Sequence, residues 1–150
     1  MRIGLISDTH GLLRPEALGF LAGADHIIHG GDIGAPDILA RLAAIAPLTT
    51  VRGNNDTAPW ARALPATALV RFEDVAVYVI HDLKELAIDP AAEGARVVVA
   101  GHSHKPAQAE RDGVLYVNPG SAGRRRFSLP IALGELVVEG ARVSARVVNL

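Results

Sequence analysis

A chain of 150 residues is about one domain's worth of polypeptide, enough for a single core that buries roughly two thirds of the unfolded surface. Fifteen basic residues against sixteen acidic ones leave a net charge of -1, which excludes the general electrostatic pull of a nucleic-acid or anionic-membrane binder; neither a long nucleic acid nor a membrane is an expected partner. With no cysteine, a disulfide framework and a thiolate metal site are excluded as well.

The first residues, Met1 to Gly4, run straight into a strand and lack the basic stretch and apolar core of a signal peptide. No apolar run approaches the ~20 residues that span a bilayer, and a cytoplasmic location is expected. Ile3 to Ile6 is the first predicted strand, closed by Asp8. Pro15 between Arg14 and Glu16 suits the first turn of a helix, and Ala17, Leu18, Phe20 and Leu21 give it an apolar face before Gly23 stops it. Asp25 to His29 reads as the second strand. Ala35-Pro36-Asp37 then opens a helix whose Ile38, Leu39, Leu42 and Ile45 recur at helical spacing up to Pro47. Leu48 to Val51 completes a β-α-β-α-β half, parallel and right-handed in its crossovers.

After Trp60 the pattern changes. Residues 66–72 and 75–80 read as a hairpin around Glu73-Asp74, although the turn lacks an Asn-Gly or Asp-Gly signature. Val97 to Ala100 and Val114 to Val117 are two further apolar runs, and residues 130–138 and 141–149 form a second hairpin around Glu139-Gly140. The expected fold class is α/β, with two mixed β-sheets packed face to face as a sandwich flanked by helices. No internal repeat or linker divides residues 1–150, which read as one domain.

Each short apolar run is followed at once by a polar fragment: Asp8-Thr9-His10, Gly31-Asp32, Gly53-Asn54-Asn55-Asp56, His81-Asp82, Gly101-His102-Ser103-His104 and Asn118-Pro119-Gly120-Ser121. Open α/β folds bind ligands outside the carboxyl ends of their strands, so these fragments are expected to converge at one sheet edge. Taken singly, Asp8-Thr9-His10 is an ordinary surface turn and Gly31-Asp32 a turn or helix cap. Taken together, four of the six histidines and the carboxylates Asp8 and Asp32 fall at strand ends, which points to a metal site. His26 and His29 read as structural.

The ordered set Asp-x-His, Gly-Asp, Gly-Asn-x-Asp, His and Gly-His-x-His resembles the calcineurin-like metallophosphoesterase superfamily. The short length and the Asn118 to Ser121 loop resemble its small bacterial and archaeal phosphodiesterase branch, which is also similar to the retromer scaffold subunit. The resemblance spans the whole chain and implies a four-layer, metallophosphoesterase-like sandwich. It also implies two divalent metal ions, one held by Asp8, His10, Asp32 and His104, the other by Asp32, Asn54, His81 and His102, with Asp32 as the bridge. Oxygen and nitrogen ligands without sulfur suit Mn²⁺, Ni²⁺, Fe or Zn²⁺. Asp32, Asn54, Asn55 and Asp56 are the implied catalytic residues.

The implied activity is hydrolysis of small phosphodiesters by attack of a metal-bridging hydroxide. A phosphomonoesterase on the same metals and a scaffold with a vestigial site are the alternatives, and a full ligand set weighs against the scaffold. Two positions depart from the wider superfamily. Asn55 stands where many members have His, and an amide can donate a hydrogen bond but cannot deliver a proton, which implies a preference for good leaving groups. Asp82 stands where relatives often have Gly; its carboxylate either orients an imidazole or repels an anionic substrate. Arg124-Arg125-Arg126 reads as a solvated run rather than a phosphate clamp. Trp60 borders the cleft, lies in the core, or packs in a subunit interface, which leaves a homo-oligomer open.

Overall fold

The computed structural model describes residues 1–150. Its first half runs β1 (Arg2–Ile6), α1 (Pro15–Leu21), β2 (His26–His29), α2 (Pro36–Ala43) and β3 (Leu48–Thr50). The second half is β4 (Thr67–Phe72), β5 (Val75–Ile80), β6 (Ala95–Val99), β7 (Ala107–Arg111), β8 (Val114–Asn118), β9 (Ala132–Glu139) and β10 (Arg142–Asn149). Both helices begin on proline, at Pro15 and Pro36, where the missing N–H is one that an α-helix leaves unpaired anyway.

The strands form two mixed five-stranded sheets, β10-β9-β1-β2-β3 and β4-β5-β6-β8-β7. β1, β2 and β3 are parallel, as are β5, β6 and β8; antiparallel strands flank the second set on both sides and the first set on the β1 side only, leaving β3 as an edge. Between the sheets lies a core of Ile3, Leu5, Ile28, Val77, Val79, Val97, Val99 and Leu136 among others, all fully buried. The parallel strands are covered on both faces, which is why their sequences read as continuous apolar runs rather than alternating ones.

α1 and α2 pack through Ala17, Leu21, Ile38 and Leu42 onto Ile6, Ile27 and Leu133 of the first sheet. The outer face of the second sheet carries no α-helix. There the fourth layer is reduced to a 3-10 turn at Leu83–Glu85 and flanking loops, over Ile80, Val98, Ala100 and Val114. No helix is long and apolar enough to cross a membrane.

One strand was not expected. β7 pairs antiparallel with β8 across a turn at Asp112-Gly113, both in the left-handed region. Asp-Gly is the strongest two-residue hairpin signal. The strand itself, Ala107 to Arg111, is a fully exposed sheet edge with no apolar alternation to reveal it. The polar fragments also differ from expectation in one respect: they gather from the strand ends of two sheets meeting at one end of the sandwich, not from a single sheet edge.

Candidate metal centre

Five of the seven expected ligands hold left-handed backbone: Asp8 (φ 54°), His10 (46°), Asp32 (56°), His102 (71°) and His104 (61°). Only three other non-glycine residues do so, which marks this end of the sandwich as the strained one. Such conformations cost roughly 1–3 kcal/mol each and persist only where surrounding structure enforces them. Here the loops after β1 and β2 are laced together by Asp8 N–H to Gly31 O (3.0 Å), His10 N–H to Asp32 O (3.0 Å) and Gly11 N–H to Ile33 O (2.8 Å).

Asp56 adds the loop after β3. Its buried carboxylate accepts backbone N–H groups from Asp32, Ile33, Gly34 and Gly53 at 2.9–3.3 Å. Expected among the catalytic residues, Asp56 has both oxygens engaged by backbone donors, a brace beneath the Asp32 loop. Gly53 is required beside it, because any Cβ there would collide with the Asp32 carboxylate. Gly101 answers the same need opposite Ser7 and Asp8.

His29 is fully buried behind these loops. Its Nδ1 accepts from Gly31 N–H at 3.0 Å, which fixes the neutral tautomer with Nε2–H donating to Thr9 Oγ1 at 3.0 Å; Thr9 in turn donates to Ile33 O. Burial, reinforced by the neighbouring His81 and His10, lowers its pKa to about 4 despite the opposing pull of Asp8 and Asp32.

On this frame the ligand atoms gather in two groups: Asp8, His10 and His104, and Asp32, His81 and His102, each with atoms within 4.8 Å of one another. Asp8 Oδ1 lies 3.4 Å from His104 Nε2 and 3.8 Å from His10 Nε2. Asp8 Oδ2 faces away, accepting from Ser7 Oγ and His102 N–H. Asp32 Oδ2 lies 3.3 Å from His81 Nε2 and 3.7 Å from His10 Nε2, so one oxygen reaches both groups. Asn54 Oδ1 lies beside the second group, 3.1 Å from His102 Nδ1. His81 donates its Nδ1–H to Gly30 O at 2.7 Å, which turns Nε2 toward the centre.

Electrostatics and burial fit a cation. Burial alone would raise the Asp32 carboxyl, but His81, the Asn55 N–H and His10 hold it at about 2. Burial alone would lower His81, but Asp32, Asp8 and the Gly30 carbonyl raise it to about 9. Asp8 Oδ1 and His81 Nε2 are buried with no hydrogen-bond partner. Buried polar atoms without partners are rare and costly, and a carboxylate and imidazole set of this kind is what a divalent ion accepts.

Residues 1–139 match the sequence profile of the calcineurin-like phosphoesterase superfamily domain. The chain belongs to the calcineurin-like phosphoesterase superfamily. It is 32% identical over 161 aligned positions to a probable metallophosphoesterase of Methanothermobacter thermautotrophicus, covering 99% of this chain and 92% of that one. Its fold is similar to that of Vps29 from Chaetomium thermophilum (TM-score 0.82, 18% identity, 99% and 95% of the two chains). It is also similar to Vps29 from Entamoeba histolytica solved in complex with Zn²⁺ (TM-score 0.78, 20% identity, 99% of each chain).

Within this phosphoesterase domain, the remaining expected residues fall as follows. Asn55 is exposed, and its Nδ2 donates to Asp32 Oδ2 at 3.1 Å. Asp82 Oδ2 lies 3.6 Å from Nε2 of His102, not beside His81, so it stands behind the ring whose other nitrogen faces Asn54. Trp60 is half-buried against the cluster beneath the helices, the core reading of the three. Arg124 and Arg125 are exposed, and Arg126 borders a cavity beyond His102.

Several supporting residues were not legible in the sequence. Ser7 fixes the Asp8 carboxylate, Ser121 donates to the Asp8 carbonyl at 2.9 Å, and Asn118 donates to both Gly101 O and Ser103 Oγ at 3.0 Å. The Asn118 to Ser121 fragment is therefore a brace under two ligand loops. Its place after a strand was the only signal available.

Proposed function

We propose that this phosphoesterase is a dinuclear metal-dependent phosphodiesterase acting on small phosphodiesters. The observation that carries the reading is Asp32 Oδ2, a single carboxylate oxygen within 3.7 Å of ring nitrogens in both ligand groups. Asp8, His10, Asp32 and His104 would hold one ion, and Asp32, Asn54, His81 and His102 the other. When bound, two such ions supply an acidified water as nucleophile and neutralise charge on the phosphoryl group.

The protein's own groups orient and discriminate. Hydrolysis joins the water oxygen to phosphorus and breaks the bond to one alcohol, which departs and must gain a proton, leaving a phosphomonoester. Asn55, with its amide beside Asp32, offers a hydrogen bond to a phosphoryl oxygen but no proton, so good leaving groups are favoured. Asp82, partly exposed beside His102, repels a dianionic monoester more than a monoanionic diester.

The test is metal-stripped protein reloaded with Mn²⁺, Ni²⁺, Fe²⁺ or Zn²⁺ in turn and assayed on aryl phosphodiesters and aryl phosphomonoesters. Faster diester turnover, dependent on two ions per chain, is expected; faster monoester turnover would favour the monoesterase. Metal content alone does not separate enzyme from scaffold, since a Vps29 of similar fold has been solved with Zn²⁺. Turnover does.

A further inference from the structure

Beyond Asp82 and His102 the site runs on into a cavity of about 730 Å³ on the outer face of the second sheet, the face without an α-helix. Alternate residues of β7, namely Ala107, Ala109 and Arg111, turn toward it, as the two-residue period of a strand requires. Tyr116, opposite Ala109 in register, contributes a half-buried ring, with the Arg111 guanidinium 4.2 Å from its centroid. Phe127 borders the same cavity and is 90% exposed, the most exposed of the large apolar side chains.

The lining is charged in one sense. Lys84, Lys105, Arg111 and Arg126 face a single carboxylate, Asp82, a local balance of +3 on a chain whose net charge is -1. Small neighbours (Ala107, Ala109), two rings and four cations, continuous with the proposed phosphate site, describe a slot for a flat apolar group attached to an anion.

We propose that this cavity is the subsite for the ester arm that stays on phosphorus, and that this arm is a flat ring system, an aryl group or a nucleobase. The proposal rests on the phosphodiesterase reading and adds its source of selectivity. A methyl arm leaves Tyr116 and Phe127 in water, whereas a flat ring covers them. A monoester has no second arm to place there.

The experiment holds the leaving group constant. 4-Nitrophenyl methyl phosphate, 4-nitrophenyl 2-naphthyl phosphate and thymidine 5′-(4-nitrophenyl phosphate) are compared on metal-loaded protein, alongside Ala109→Trp to fill the slot and Phe127→Ala to shorten one wall. Methyl 2-naphthylmethylphosphonate, whose ring is joined by a P–C bond, is titrated into Zn²⁺-loaded protein while amide resonances are followed. A KM about tenfold or more lower for a ring-bearing ester than for the methyl ester, with similar kcat, is expected. That preference should vanish in Ala109→Trp, shrink in Phe127→Ala, and coincide with shifts at Ala107, Ala109 and Tyr116. A naphthyl preference without a thymidine one assigns the slot to aryl arms, and the reverse to nucleobases.

Equal KM values across the series, or a preference that survives Ala109→Trp, would overturn the subsite while leaving the phosphodiesterase reading standing. If no ester turns over but the phosphonate still shifts the β7 and Tyr116 amides, the subsite holds and the activity is what fails. A native dimer that Ala109→Trp converts to monomer would show that a second copy covers the cavity, which also overturns the proposal.

Discussion

Nε2 of His10 and Nε2 of His104, carried on loops from different sheets, lie 3.3 Å apart with their ring centroids at 5.2 Å. Two imidazolium charges at that distance repel by about 1 kcal/mol even in water, and by more in a partly buried site. Both ring nitrogens border the space beside Asp8 Oδ1, at 3.8 Å and 3.4 Å from it. A proton serves one such atom at a time; a divalent ion serves all three.

Asp32→Ala should remove both ions, because it deletes the one oxygen that reaches both ligand groups. Elemental analysis of the purified variant is the check, with less than one ion per chain expected and activity lost in parallel. Two ions per chain in this variant would sink the dinuclear assignment.

The metal-free protein should be most stable near pH 6.5 and lose stability on both sides. His29 has a folded pKa of about 4, below the unfolded 6.5, so its contribution is full above 6.5 and lost as pH falls toward 4. By linkage this amounts to about 3 kcal/mol. His81 is raised to about 9, so its contribution is full below 6.5 and lost as pH rises through 9. Urea titrations across pH 4 to 9 test both arms: His29→Gln should flatten the acid side and His81→Gln the alkaline side.

Replacing Asn55 with His tests the leaving-group argument. The natural enzyme should show a steep dependence of rate on leaving-group pKa, and Asn55→His a shallower one, with gains confined to poor leaving groups. Positioned general acids contribute about 10²–10⁴-fold, so even an ill-placed ring should register. Identical slopes, with metal content confirmed equal, would mean that Asn55 does not serve the departing oxygen and holds only Asp32.

Asp82→Gly removes the carboxylate behind His102. Groups that orient a ligating imidazole typically contribute about 10–100-fold in metal affinity. Chelator competition should therefore show weaker binding of one of the two ions, and relief of repulsion should raise the monoester-to-diester rate ratio. An unchanged affinity with a changed ratio would assign Asp82 to substrate discrimination alone.

The sequence foretold the parts of this molecule that repeat a simple rule. Apolar β-branched runs such as Val75 to Ile80 announced buried strands, and polar fragments directly after them announced the loops that carry the candidate metal-holding groups. β7 escaped because an exposed edge strand has no buried face to print a pattern, leaving only the Asp112-Gly113 turn. The roles of Asp56, Asn118 and Ser121 escaped for another reason. Asp56 meets the Asp32 N–H 24 residues away, Asn118 the Gly101 carbonyl 17 residues away, and Ser121 the Asp8 carbonyl 113 residues away. No local pattern records which N–H or carbonyl a side chain will meet.

The left-handed ligands and the apolar core occupy different parts of each strand unit. Ile3, Leu5, Val77 and Val99 lie inside the strands, while Asp8, His10, Asp32, His102 and His104 lie past their ends. Glycine at any of those five would relax the backbone, but at Asp8 and Asp32 it would also strip Ser7, His102 and Asn55 of their acceptors. The strain of the fold is thus concentrated at the end of the sandwich that carries the candidate metal centre and kept out of the core.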